Sequence, residues 1–311
     1  WVGASSTTSS AAQVDYVTAL RQPGSTLKPF LYAQAIAEKR LTAASLVDDS
    51  AAAIPTQSGL YVPQDYDKRF RGWVSVRLAL ASSLNVPAVR TIGMVGVNRF
   101  AAQLEQLGIR LPHTGDYYGY SLALGSAEMS LMQLTNAYRA LGNAGRLTPV
   151  RTTLSQENKA APVSEAAPAL DPRASFIVGN ILADNNARIT TFGANSILHT
   201  RFWTAVKTGT SKDMRDNWAI GYSQKYTVGV WVGNAQGQAM WEVSGTSGAA
   251  PVWAAVMRYL HASAPSKAPT PPAGVVQVPV QFAGGTVKAP STQHAISAPE
   301  PPRREWFIQG T

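Results

Sequence analysis

Apolar residues recur at helical spacing through much of the chain. After Lys28 they form one stripe that ends in charged residues, which predicts a helix over residues 28–39. Residues 41–72 instead contain turn-forming residues with little periodicity, so we expect an irregular segment there. The same criteria predict further helices over residues 74–81, 87–94, 97–107, 130–141, 172–184 and 251–262.

The C-terminal third changes from helical spacing to runs of aromatic and β-branched residues. Such runs predict strands over residues 202–206, 217–222 and 226–232, and the first of them continues into Lys207–Thr210. Only residues 223–225 separate the last two, which indicates an antiparallel hairpin. A short apolar run at residues 1–4 is a further strand candidate.

Proline marks the expected domain boundaries. Residues 263–302 hold nine of the twenty prolines, which predicts a partly extended linker with an edge strand at residues 275–282. Residues 303–311 look like the first strand of a truncated C-terminal domain, so residues 1–262 form the main domain. Because the chain begins with Trp1 rather than Met, we expect a fragment without its signal or anchor.

Composition narrows the possible functions. The chain is 45% hydrophobic and 14% charged, which is enough apolar material for a large core. The net charge of +9 suits an anionic partner, but there is no arginine-rich run, zinc-finger spacing or RNA-binding signature, so we expect no nucleic acid. Acidic wall polymer or lipid headgroups explain the charge equally well. Without cysteine, a thiol nucleophile is excluded, and no apolar run reaches the roughly 18 residues that cross a bilayer.

Ser25 and Lys28 form the first candidate chemical motif. Residues three apart lie on one face of a helix, and Pro29 is tolerated only near a helix start, so the helix should begin close to Ser25. A serine there lies beside unpaired backbone amides at the positive end of the helix dipole. This position favours an alkoxide nucleophile. Roughly one Ser-x-x-Lys is expected by chance in a chain of this length, so the pair alone is weak.

Two further motifs strengthen the interpretation of Ser25 and Lys28 as a chemical motif. Ser83-Leu84-Asn85 lies between two predicted helices, and Lys207-Thr208-Gly209-Thr210 lies on a predicted strand; each occurs once. A chance Lys-Thr-Gly is expected in fewer than about one in ten such chains. Taken alone, Asn85 before Val86 and Pro87 is more simply a helix cap.

With these motifs in this order, the chain resembles the transpeptidase domain of bifunctional, class A penicillin-binding proteins, and most of all the 1C subfamily. The resemblance covers about residues 1–262 and implies the α+β fold of penicillin-recognising serine transpeptidases and β-lactamases, with a central antiparallel sheet, flanking helices and a helical subdomain. The supporting segments are residues 21–30, 122–125, 134–138, 206–213, 217–222 and 249–253.

The resemblance implies a serine acyltransferase. Ser25 is the nucleophile and Lys28 its base, which burial and the second cation Lys207 would deprotonate near neutral pH. Ser83 can relay a proton to the leaving amine, and Asn85 can hold the peptide backbone. Four scattered histidines offer no alternative base, and they are more simply surface or core residues: His113, His199, His261 and His294.

The same resemblance implies a substrate clamp on the Lys207 strand. Strand alternation places Thr208 and Thr210 on one face, where their hydroxyls can bind a terminal carboxylate. Gly209 lets substrate lie against the strand. The backbone amides of Ser25 and Thr210 form the oxyanion hole. No cofactor or metal is implied.

The implied substrate is the D-Ala-D-Ala end of a peptidoglycan stem peptide, with β-lactams as mimics. Lipid-linked precursors and cell-wall synthesis proteins are expected partners, on the periplasmic side of the inner membrane, with the anchor and glycosyltransferase domain of such proteins upstream. The middle motif is not Ser-Asp-Asn, and neither Glu128 nor Glu157 is assignable as a deacylating base, which favours slow deacylation. A DD-carboxypeptidase or β-lactamase, and a penicillin sensor or scaffold, remain the alternatives.

Overall fold

Helices and short antiparallel strands alternate along the chain in this computed structural model, which describes residues 1–4, 11–56, 59–65, 67–152, 166–282 and 300–311. The helices are α1 Lys28–Ala37, α2 Val76–Ala81, α3 Asn85–Val95, α4 Val97–Gln106, α5 Gly115–Tyr118, α6 Leu131–Gly142, α7 Pro172–Ala183, α8 Ile189–Phe192 and α9 Ala250–Leu260. The strands are β1 Leu46–Asp49, β2 Ile54–Thr56, β3 Gly59–Tyr61, β4 Gly72–Ser75, β5 Arg146–Leu147, β6 Ala167–Pro168, β7 Ala205–Thr210, β8 Asp216–Tyr222, β9 Thr227–Gly233, β10 Val275–Val280 and β11 Arg303–Ile308.

Helix α1 lies at the centre of the fold. Every residue from Lys28 to Ile36 is buried, and the helix packs against α3 on one side and α7 on another. A helix that is apolar on all faces is stable only inside a core, so α1 has little freedom to move. The first turn of this helix therefore offers a rigid platform for a reactive side chain.

Strands β7, β8 and β9 form an antiparallel sheet with β8 in the middle. One face of the sheet packs on α6 and α7, within the same core as α1, and the other face packs on α9 through Val206, Ala219 and Trp253. A tight turn, closed by the Ser223 N–H donating to the Tyr226 carbonyl at 2.8 Å, joins β8 to β9 as predicted. The predicted α+β class is confirmed.

The predicted helices are present, and their ends lie within two residues of the predicted ones. Helix α2 begins two residues later than predicted, because residues 72–75 form β4 and the Ser75 hydroxyl then caps the helix by accepting the Leu78 N–H at 3.2 Å. Most of the described residues in the segment 41–72 are irregular, as expected, but the segment also holds the short strands β1, β2 and β3, which were not predicted. Strand β1 pairs with β4, which lies more than twenty residues away, and such distant pairing leaves little local signature. The strand expected at residues 1–4 is absent, and β7 begins only at Ala205.

Strands β10 and β11 form a C-terminal antiparallel hairpin, with Val275 opposite Ile308. The strands predicted at residues 275–282 and at the end of the chain are therefore confirmed. Trp306 packs edge-on against Phe176 of α7, with ring centroids 5.2 Å apart. Much of the predicted linker, residues 283–299, lies outside the described residues, and the division into three domains stays a prediction. No helix within the described ranges is both long and apolar enough to cross a bilayer.

Candidate active site

Ser25 lies in a 3₁₀ turn, Gly24–Leu27, that leads directly into α1. The N–H of Lys28 donates to the carbonyl of Ser25, and side chains three apart in a 3₁₀ turn eclipse each other, so the two residues share one face. Pro29 occupies the second position of α1, where its missing N–H costs nothing. Ser25 is half-buried, whereas Lys28 is fully buried. The helix start predicted near Ser25 is confirmed.

Two glycines allow β7 to lie against the Ser25 turn. Gly24 has φ +56°, and a Cβ added to it would lie 2.6 Å from the carbonyl oxygen and 3.0 Å from the nitrogen of Thr210. A Cβ added to Gly209 would lie 2.4 Å from the carbonyl oxygen of Pro23. The backbone of Thr210 therefore lies immediately beside Ser25. The lack of a side chain at Gly209 is needed for this contact, and its role toward substrate stays a prediction.

The Ser83–Asn85 segment lies between α2 and α3 and receives the side chain of Lys28. Lys28 Nζ donates to the Ser83 carbonyl at 2.7 Å, the Leu84 carbonyl at 2.9 Å and Asn85 Oδ1 at 2.7 Å. Ser83 itself has φ +60°, a left-handed conformation that costs a residue with a side chain about 1–2 kcal/mol. Such strain is typical of functional loops.

Asn85 is not a helix cap, so the simpler interpretation of that residue was wrong. The N-cap of α3 is Leu84, which makes no side-chain capping bond, and Asn85 is the first helical residue. Its amide bridges instead: Oδ1 accepts from Lys28, and Nδ2 donates to the Gln64 carbonyl at 2.7 Å. The side chain is thereby held toward Lys28.

Lys207 joins the third motif to the second. Its Nζ donates to Ser83 Oγ at 2.7 Å and to the Thr208 carbonyl at 2.9 Å, and the side chain is 97% buried. Lys28 and Lys207 thus both contact Ser83, one at the carbonyl and one at the hydroxyl. The three sequence motifs converge on this residue.

Burial shifts the protonation of both lysines. Burial lowers the pKa of Lys28 to about 7, although the nearby carboxylates of Asp65 and Asp49 act in the opposite direction. The pKa of Lys207 is held well below its usual value, first by burial and then by the positive charges of Lys28 and Arg188. A lysine with a pKa near 7 can exchange a proton at neutral pH.

Thr208 and Thr210 alternate with Lys207 and lie on the face of β7 that also carries Val206. Thr210 Oγ1 accepts the N–H of Gly245 at 3.0 Å, which leaves the hydroxyl proton free to donate elsewhere. The predicted common face for the two threonines is therefore present. Their binding of a carboxylate stays a prediction.

The described histidines lie apart from the motif residues and, as predicted, are surface or core residues. His261 is buried and bonds to the hydroxyl of Ser223 at 2.8 Å, His113 stacks on Tyr117, and His199 is exposed. His294 lies outside the described residues. In the part of the chain that the structure describes, no group of three or more His, Asp or Glu side chains could hold a metal ion.

The sequence analysis missed three charged residues around the lysines. Asp65 Oδ1 accepts the N–H of Asn85 at 2.5 Å, and Asp49 lies beside Asp65. Arg188, 3% exposed, lies near Lys207, and its positive charge lowers the pKa of that lysine. Asp49 and Asp65 fall in the segment without periodicity, and Arg188 falls in a short connection before α8. No local pattern marks them.

The family model and the similar proteins of known name indicate the same family for this chain. Residues 4–258 match the family model of the penicillin binding protein transpeptidase domain. Penicillin-binding protein 1C of Escherichia coli (strain K12) is 37% identical over 226 residues, which is 72% of this chain and 27% of that protein. Penicillin-binding protein 1A of Neisseria meningitidis serogroup B (strain ATCC BAA-335 / MC58) is 30% identical over 277 residues, 84% of this chain and 34% of that protein. The chain thus spans about a third or less of these relatives.

Solved structures support the same fold. The crystal structure of penicillin-binding protein 1A from Haemophilus influenzae matches with a TM-score of 0.78 at 22% identity, covering 97% of this chain and 50% of that one. PonA1 from Mycobacterium tuberculosis, in complex with penicillin V, matches with a TM-score of 0.69 at 20% identity, covering 83% of this chain and 74% of that one.

Proposed function

The chain belongs to the family of penicillin-binding protein transpeptidase domains, which act in peptidoglycan synthesis, and from this premise we propose that Ser25 forms a covalent acyl-enzyme. The observation that carries the proposal is the position of Ser83. Its carbonyl accepts from Lys28 and its hydroxyl from Lys207. Lys28 itself follows Ser25 by one 3₁₀ turn. These contacts support the proposal that Ser25 acts as nucleophile, Lys28 as base and Ser83 as proton relay.

Lys28 serves as the base for Ser25. As an ammonium it has three N–H donors, and all three are used by Ser83, Leu84 and Asn85. Loss of one proton leaves a lone pair that can accept the Ser25 proton. Because the pKa of Lys28 is about 7, the neutral amine is well populated at neutral pH.

Acylation takes place at the penultimate carbonyl of a D-Ala-D-Ala stem peptide. Ser25 Oγ bonds to that carbonyl carbon, and its proton passes to Lys28 Nζ. The carbon–nitrogen bond then breaks, and the departing D-alanine amine takes a proton through the Ser83 hydroxyl. The oxyanion is held by the amides of Ser25 and Thr210, which the close approach of Thr210 to Gly24 supports.

Deacylation by an amine completes the transfer. The amino group of an acceptor stem peptide bonds to the ester carbonyl, the bond to Ser25 Oγ breaks, and the amine proton returns to Ser25 by way of Lys28. Before acylation, Lys207, Thr208 and Thr210 hold the terminal carboxylate of the donor, which leaves with the D-alanine, while Asn85 and Gly209 face the donor backbone. β-Lactams enter the same first step, and their ring opens without a leaving group.

The full-length protein is expected to carry out more than this domain does. From the resemblance to class A penicillin-binding proteins, we propose that the whole protein joins this domain to a peptidoglycan glycosyltransferase, with a membrane anchor that places both on the periplasmic side of the inner membrane. Lipid-linked precursors and other cell-wall synthesis proteins would then be its partners.

Covalent labelling tests the acyl-enzyme. Fluorescent penicillin should label the wild-type chain, and Ser25→Ala should abolish the label without lowering the thermal midpoint. Ser175→Ala is the matched control, because that buried hydroxyl has no hydrogen-bond partner among the described residues. A label that persists in Ser25→Ala refutes the assignment of the nucleophile. Rapid steady hydrolysis of penicillin by the wild type favours a carboxypeptidase or β-lactamase instead.

A further inference from the structure

Two buried carboxyl groups lie behind the Lys28–Asn85 contact, in segments that none of the three motifs includes. Asp49 ends β1 and is 0% exposed, and Asp65, between β3 and β4, is 4% exposed. Asp65 Oδ1 accepts the N–H of Asn85 at 2.5 Å, and Asp49 Oδ2 accepts the N–H of Arg71 at 2.9 Å. Each carboxyl group therefore has one oxygen bound to a backbone donor.

The remaining oxygens indicate a shared proton. Asp49 Oδ1 and Asp65 Oδ2 are buried and have no donor among the described residues as long as both groups are ionised. If Asp49 is protonated, the two carboxyl groups hydrogen-bond to each other and neither oxygen is left unpaired. Burial raises the pKa of Asp49 to about 8, and the hydrogen bond and charge of Asp65 act in the same direction. At neutral pH the pair then holds one proton and one negative charge.

Contacts connect this pair to the base. Asp65 accepts from the backbone of Asn85, and the side chain of Asn85 accepts from Lys28 Nζ at 2.7 Å. We propose that Asp49 and Asp65 share one proton and act as a positioning pair for Lys28, in which the Asp65 carboxylate holds Asn85 and supplies the counter-charge for the Lys28 ammonium. This inference rests on the proposed role of Lys28 as base.

The charges around Lys28 fix the direction of the effect. Burial, the largest effect, lowers the pKa of Lys28, whereas the charges of Asp65 and Asp49, on the β1–β4 side, raise it. Lys207 of β7 faces the same site, and burial together with the charges of Lys28 and Arg188 holds its pKa well below its usual value. Arg71 compensates the pair only in part, since its Nη1 lies 3.9 Å from Asp65 Oδ2 while its Nη2 binds Asp67 at 2.7 Å. Without the Asp65 charge, less opposes the effect of burial on Lys28, so Lys28 should lose its proton at a lower pH.

Two amide variants separate the members of the pair. Asp65→Asn keeps an oxygen for the Asn85 N–H but removes the charge. The pH at which the acylation rate falls on the acid side of the pH–rate profile should therefore move about one unit lower, with the pKa of Lys28. Asp49→Asn replaces a protonated carboxyl group by a neutral amide that can still donate to Asp65. The acid side of the pH–rate profile should therefore stay at the wild-type pH. Asp67→Asn is the matched control: Asp67 also pairs with Arg71 but does not contact Asn85.

The assay measures the rate of fluorescent-penicillin labelling from pH 5 to pH 10, with thermal midpoints to show that each variant is folded. If Asp65→Asn leaves the acid side of the pH–rate profile at the wild-type pH, Asp65 does not supply the counter-charge for Lys28. If Asp49→Asn shifts the acid side of the pH–rate profile as far as Asp65→Asn does, Asp49 is not protonated in the wild type, and the proposal of a shared proton is wrong. If Asp65→Asn does not fold, Asp65→Ser retains an oxygen for Asn85 and takes its place.

A second readout does not depend on catalysis. The Lys28 signal of the protein labelled with ¹³C at lysine Cε, assigned by its loss in Lys28→Arg, can be titrated by NMR in wild type and variants. The titration midpoint should fall in Asp65→Asn and not in Asp49→Asn. If the wild type takes no penicillin label, the proposed function fails while this titration still decides the role of the pair.

Discussion

Replacing Glu305 of β11 tests whether the C-terminal hairpin belongs to the catalytic fold. Glu305 is 0% exposed, and its carboxylate accepts from Arg77 Nε at 2.7 Å and Arg77 Nη2 at 2.5 Å. It also accepts from Arg303 Nε at 3.1 Å and from the Trp306 N–H at 3.0 Å. Arg77 lies on α2, whose end leads into Ser83, so the pair connects the last strand to the catalytic loop.

The magnitude follows from burial and from the partners that remain. Removing one member of a buried ion pair typically costs about 3–5 kcal/mol, because the other charge is left uncompensated. Glu305→Gln keeps an oxygen acceptor, and Arg77 keeps Asp184 at 3.0 Å and Asn180 at 2.7 Å. We therefore expect the lower end of the range, a loss of about 3 kcal/mol in the free energy of unfolding.

The contribution should also depend on pH. Burial alone would raise the pKa of Glu305, but the hydrogen bond and charge of Arg77 outweigh it and lower the pKa below the ordinary value of 4.5. With the folded pKa below the unfolded one, the stabilisation is present above about pH 4.5 and is lost as the pH falls through the folded pKa. The difference between wild type and Glu305→Gln should shrink at low pH.

Urea unfolding at pH 7 and pH 4 measures both effects. Asp184→Asn is the matched control, since Asp184 also binds Arg77 but its side chain is 28% exposed, and it should cost about 1 kcal/mol or less. A Glu305→Gln protein that unfolds within about 0.5 kcal/mol of wild type would show that β11 is not part of the cooperative unit. The expectation of a separate domain at residues 303–311 would then be favoured.

Three further changes probe the site itself. Lys28→Ala should slow penicillin acylation at least about a hundredfold, the scale of a positioned base, and a rate within severalfold of wild type would make Lys28 structural. Thr208→Val/Thr210→Val should slow acylation at least about tenfold for a free-acid β-lactam but much less for its methyl ester; an unchanged acid-to-ester ratio of rates contradicts the carboxylate clamp. Gly24→Ala forces its Cβ to within 2.6 Å of the Thr210 carbonyl and should lower both the thermal midpoint and the acylation rate. Gly119→Ala has nearly the same φ, +57°, with no atom within 4 Å, so it should cost only the strained backbone (ψ −150°), about 1–3 kcal/mol. Equal effects of the two glycine changes would refute the steric argument.

The sequence alone determined the long helices, the β8–β9 hairpin and the three motifs. Each is a local property. Helical spacing predicts α1, Pro29 limits where that helix can begin, and three residues between two β-rich runs leave little alternative to a hairpin. The motifs are equally local, since their residues lie within four positions of each other. Family resemblance followed from them without any knowledge of which atoms meet.

Tertiary structure alone decided what the motif side chains contact. Lys28 reaches Ser83 across 55 residues, and Lys207 reaches the same residue across 124. The sequence around Asn85 favours a helix cap, but Lys28 and the Gln64 carbonyl hold its amide, and Asp65 lies in a segment with no pattern. The physical reason is burial: a group removed from water must find its partner wherever the chain brings one, and that partner need not lie nearby in the sequence.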